Sequence, residues 1–150
     1  MKHLRSLTGR SVLAGGRRIG RVARAGLSQD LLRLKGIWVE QGLRGTRFIP
    51  AEEISVLGEV SVQADGRGRR RGAGIAPGLI RAVSTDGSRI GAVTDFLIDE
   101  VSLAVIAVEV SPGFPEELIR GRYVAHSFRP DPAGRRVIIG EENRQERVET

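Results

Sequence analysis

The sequence predicts an all-β chain of two tandem units, and three observations carry that prediction. Residues 15–22 read GGRRIGRV and residues 86–93 read DGSRIGAV, so a shift of 71 positions lays Gly16, Arg18, Ile19, Gly20 and Val22 on Gly87, Arg89, Ile90, Gly91 and Val93. The same shift sets Leu27, Leu32, Leu34, Ile37 and Val39 opposite Ile98, Leu103, Val105, Val108 and Val110, the mark of an internal repeat. Third, the run VSLAVIAVEV in the second copy is dominated by β-branched residues, which suit a pleated sheet and lose side-chain freedom in a helix.

Each element follows in order. Gly15-Gly16 and Asp86-Gly87 tolerate the positive φ angles of a tight hairpin turn, and a strand follows each. Gly20 and Gly91 then mark a bend or a close backbone approach where a side chain would not fit. Over residues 27–38 the first copy is ambiguous, because Leu27, Leu31, Leu34 and Trp38 fall at helical spacing behind a cap at Ser28. Two copies of one unit share one conformation, so the β-branched second copy makes both segments strands. Within them the apolar parity flips, from even at Leu32 and Leu34 to odd at Ile37 and Val39, and at the aligned place in the second copy. One extra residue in a strand is a β-bulge, which lets a small sheet bend enough to close, with Gly36 placed to accommodate it. Further on, TRFIP faces GRYVA and EVSV faces RVIIG. The resulting organisation is a first barrel over 1–64, a linker rich in Gly and Arg over 65–78, a second barrel over 79–140 and a polar tail over 141–150.

This order of features, LRSLTGRSVLA, a Gly turn, RIGRV, a long bent strand, RFIPAEEI and the short strand EVSVQ, resembles the PRC-barrel family. These small β-barrels are named after the photosynthetic reaction centre H subunit and also form the C-terminal end of the ribosome maturation factor RimM. The second copy, DGSRIGAVTDFLIDE followed by LAVIAVEV, is similar to the family's first hairpin. The resemblance implies a protein that docks onto a larger assembly. The first copy departs from the family at Arg24 and Ser28, where the second has the expected Asp95 and Asp99.

Composition narrows the chemistry. The chain has 150 residues, no cysteine and a formal charge of +6, which excludes disulfides, thiolate metal sites and cysteine nucleophiles. No run of eighteen apolar residues exists and the start MKHLRSLTGR has no signal-peptide core, so membrane insertion is not expected and a cytoplasmic location is. Charge is uneven, +9 over residues 1–78 and −3 over residues 79–150, a split that orients a chain on an anionic partner. Neither His3 nor His126 has metal-ligand spacing, and no nucleophile with a base stands out, so no catalytic residue, metal or cofactor is assigned. Asp95 and Asp99 would share a strand face with Glu100 opposite, which suits either weak binding of a hard cation, a partner contact, or a solvated turn. In the linker ADGRGRRRGAGIAPG, a composition unsuited to packing, Arg67, Arg69, Arg70 and Arg71 either solvate a flexible tether or grip phosphates. Phe114, between two prolines, and Phe128 are either partner contacts or covers over a barrel end. The leading functional expectation is a non-enzymatic adaptor that binds other proteins, with an RNA- or ribosome-associated factor as the alternative. Units of about 60 residues are near the limit of independent stability, so the barrels should pack on each other or on a second copy.

Overall fold

A computed structural model of the chain describes residues 1–113, 121–131, 133 and 135–141. The described residues are all-β, with thirteen strands in two sheets and short 3-10 turns but no α-helix. The first sheet holds β2 (Ser11–Ala14), β3 (Arg17–Leu27), β4 (Leu34–Glu40), β5 (Thr46–Pro50), β6 (Ile54–Leu57) and β7 (Ser61–Ala64), in the order β5-β4-β3-β2-β7-β6. The second holds β8 (Ile80–Ser84), β9 (Arg89–Ile98), β10 (Val105–Ser111), β11 (Tyr123–Ala125), β12 (Phe128–Asp131) and β13 (Arg136–Ile139), in the order β11-β10-β9-β8-β13-β12. The two orders are the same. In each unit the first strand pairs in parallel with the last, β2 with β7 and β8 with β13, and the other neighbours are antiparallel.

The irregularities repeat with the sequence. Between β3 and β4 the register slips at Ala23 and again at Lys35; between β9 and β10 it slips at Thr94 and Ile106, the residues 71 positions on. The second slip is the one the parity flip predicts. It falls on Lys35 rather than Gly36, and Gly36 has a different reason to be small: a Cβ there would run into the Ile49 carbonyl oxygen and the Phe48 ring. Gly20 and Gly91 are close approaches in both units, since a Cβ would strike the carbonyl oxygen of Glu40 or of Ser111. Gly15 and Gly16 both take positive φ, 58° and 78°, which builds the tight turn between β2 and β3. In the aligned turn Gly87 takes φ 87° while the Asp86 carboxylate accepts from the Ser88 backbone N–H at 2.9 Å.

Bending goes less far than a closed barrel. The first sheet curls into a half-barrel and the second is an open mixed sheet. Closure of the first would have to join β5 to β6, but β5 is already paired on its outer edge: Phe48 and Arg69 exchange backbone hydrogen bonds of 2.8 and 2.7 Å. The segment 65–78 is therefore not the unpacked tether its composition suggested. After Arg69 it crosses Trp38 at Gly72 and exchanges a second pair of 2.8 Å bonds between Ile75 and Leu27 on β3. Glycine allows this path because a Cβ at position 72 would lie 2.6 Å from Trp38 Nε1, and one at position 74 would lie 2.8 Å from the Leu27 carbonyl oxygen.

The units are joined by an approximate two-fold relation. The segment ahead of the second unit pairs with β3 of the first, and the segment ahead of the first unit, β1 (Lys2–His3), pairs with β9 of the second. Arg33 and Ala104, themselves 71 positions apart, form an antiparallel bridge in which Leu34 N–H donates to Leu103 O at 2.9 Å and Val105 N–H donates to Leu32 O at 2.8 Å. Such self-complementary pairing is the pattern of a two-fold dimer. One apolar core runs through both units, from Leu7, Val12, Leu27, Ile37 and Ile49 to Phe96, Ile98, Val108, Val137 and Ile139.

Candidate functional site

Asp95 lies within β9 and is buried, with 6% of its surface exposed. Its Oδ1 accepts from the backbone N–H of Arg5 at 3.1 Å and of Phe96 at 2.8 Å, and its Oδ2 lies 2.9 Å from His3 Nδ1. These bonds clasp the leading segment of the first unit onto the second. Lys2 beside them is also buried; it pairs with Glu59 from the first unit and sits 3.8 Å from Glu100 of the second. The carboxyl of Glu59 is held below its ordinary value by that hydrogen bond and by the charge of Lys2.

Asp99, expected on the strand face of Asp95 with Glu100 opposite, instead follows the end of β9 together with Glu100. Asp99 accepts from the N–H groups of Ser102 and Val101, both at 2.8 Å, and these bonds hold its carboxyl below the usual range. It ties the β9–β10 loop. The first unit ties the aligned loop with other residues: Ser28 Oγ accepts from Arg33 N–H, and Asp30 accepts from Ser28 Oγ–H and Leu32 N–H. Ser28 with Asp30 thus replaces an acid whose work the first unit was not expected to do. Among the described residues, no group of three or more His, Cys, Asp or Glu is placed to hold a metal ion. No helix among them is long and apolar enough to cross a membrane.

Phe128 is half-buried on β12 opposite Ile139 and packs against the core. Phe114 lies outside the described residues. Arg67, Arg69, Arg70 and Arg71 are all exposed on the strap over the first sheet, held there by its backbone.

Two surface features remain. A groove of about 320 Å³ at the junction of the units is lined by Leu31, Ile75, Pro77, Gly78, Leu79 and Arg135. Leu79 is 78% exposed and Ile75 40% exposed at this groove, whereas Leu31 is buried. Gly78 is exposed at the rim of this groove. A Cβ built on Gly78 meets nothing within 4 Å. A larger side chain at position 78 would therefore enter open space beside the groove. The groove is not legible in the sequence, because Leu31, Pro77 and Arg135 meet only in the fold.

The second feature is an arginine-rich end of the first sheet. Arg18 and Arg21 border a cleft with Glu40, Gln41 and Gly42, and Gln41 Nε2 donates to the Arg67 carbonyl oxygen at 3.1 Å. Sequence reasoning singled out only the strap arginines and missed those of the sheet that the fold brings beside them. Compared with known proteins, the chain matches no family model and no curated sequence.

Proposed function

We propose that the chain is a non-enzymatic adaptor made of two PRC-like β-barrel units, whose junction groove receives an apolar side chain of a partner protein. The observation that supports this reading is the groove at the junction of the units, with Leu79 and Ile75 exposed beside it. Exposed aliphatic side chains beside a concave apolar surface are what a partner anchor fits. Burying a Leu-sized anchor there would contribute about 1.5–3 kcal/mol, roughly a tenfold or greater effect on affinity. The PRC-like resemblance supports docking as the mode of action, and the exchanged leading segments supply a rigid junction for it.

The test places a photo-crosslinking amino acid at Leu79 and, as a control, at Thr85 on the β8–β9 turn of the second unit. A protein adduct formed at 79, not at 85, and retained after nuclease treatment is the expected result, with Gly78→Leu weakening it by filling the space. Equal adducts at both positions, or loss of all adducts with nuclease, would overturn the adaptor reading.

A further inference from the structure

Independently of the groove, we propose that the arginine-rich end of the first sheet binds the phosphate backbone of a nucleic acid. Six arginines from four segments meet around the β4–β5 loop. Arg18 and Arg21 come from β3 and share a cleft with Glu40 and Gln41. Arg44 ends the 3-10 turn Gly42–Arg44 in that loop, and Arg47 follows on β5. Arg67 is fixed to Gln41 through its carbonyl oxygen, Gly68 lies against Arg47, and Arg69 pairs with Phe48. Arg70 and Arg71 continue the exposed run.

Neutralisation within this surface is slight. Of these arginines only Arg69 has a carboxylate within 4 Å among the described residues: Glu52 at 3.8 Å, with both side chains more than half exposed. An exposed pair of that kind contributes little and is screened by salt. Glu40 lies opposite Arg21 across the β3–β4 pair, and the other guanidinium groups of this surface have no carboxylate within 4 Å among the described residues; a planar guanidinium matches phosphate oxygens in a bidentate fork. A partner must supply comparable density of negative charge along a path, which a nucleic-acid backbone does with one charge per nucleotide. Base stacking takes no part. Trp38, the single tryptophan, is covered by Arg24 at 4.4 Å from its ring centre, by Phe48 at 5.0 Å and by the strap at Gly72. Binding is therefore tolerant of sequence and steep in salt.

The experiment measures the anisotropy of a labelled 20-nucleotide RNA with the full chain over a salt series, alongside DNA of the same sequence and polyglutamate of equal charge. Eight phosphate contacts to a single strand, one for each of these arginines, give a slope of log K against log salt of about −5.6. Arg67→Ala, Arg69→Ala, Arg70→Ala and Arg71→Ala together should flatten the slope by up to about 3, and Arg18→Ala with Arg21→Ala by about 1.4. The second variant sits on a strand remote in sequence from the strap, so agreement of the two cannot come from a strap that has come loose. Unchanged Trp38 emission verifies that the strap is still seated in both variants. Comparable binding of polyglutamate would make the surface a generic acidic-protein contact and overturn the proposal; so would a slope that neither variant alters.

Discussion

Replacing Asp95 by alanine tests the exchange of leading segments between the units. The buried carboxylate accepts backbone N–H groups of Arg5 and Phe96 and meets His3, so its loss strips the acceptor from two main-chain donors. A buried donor left without a partner costs about 1–3 kcal/mol. The Arg5 donor borders a cleft of about 230 Å³, where water can replace the lost acceptor, and the sum is expected at about 2–4 kcal/mol rather than the upper limit. Asp95→Asn keeps an oxygen for the backbone donors and gives up only the charge toward His3, so its cost should stay below about 1 kcal/mol, in the range of exposed ion pairs. Urea unfolding followed by circular dichroism gives both values, and hydrogen exchange at residues 2–5 shows whether the segment has detached. A loss below about 0.5 kcal/mol for the alanine variant would refute the clasp. Equal losses for Asn and Ala would refute its assignment to acceptor geometry.

Gly20→Ala and Gly91→Ala, aligned residues facing Glu40 O and Ser111 O, should each cost about 1–3 kcal/mol through overpacking; unfolding midpoints check both, and a cost in one unit only would break the equivalence of the repeats. Gly72→Val forces the strap off Trp38; because Trp38 is the single tryptophan, its emission should shift to the red while the core remains folded. Asp99 has a folded-state carboxyl held low by the Ser102 and Val101 N–H groups, so its stabilising effect is full above the ordinary carboxylate value, about 4, and fades as pH falls through the folded value. Asp99→Ala should therefore differ from the parent in urea midpoint at pH 7, and the difference should shrink as the pH is taken down through the lowered folded value.

What the sequence revealed was local or was said twice. Leu34 followed by Ile37, and Val105 followed by Val108, place apolar residues on one face only if a residue between them bulges, and the same physics acts in both sheets. Gly20 and Gly91 were legible for the same reason. Residues 65–78 were not: a glycine-rich stretch advertises freedom of the chain, yet whether that freedom is spent in solvent or in skirting Trp38 and Leu27 O depends on neighbours distant in sequence. Asp95 was legible as unusual but not as a clasp, because its partners His3 and Arg5 lie 92 and 90 residues away. The arginine surface was half visible, the strap being a run while Arg18, Arg21, Arg44 and Arg47 join it only through the β-sheet.

A dimer of identical chains must place the same residue on both sides of its axis, so a charge that suits one side is imposed on the other. Here a single chain supplies both sides, and the two faces are free to differ. Arg24 and Asp95 are partners under the shift of 71, yet one lies over Trp38 and the other anchors a foreign strand. With both copies in one chain, a scaffold of nearly two-fold design carries two unlike ends, and either can be altered without imposing the change on the other.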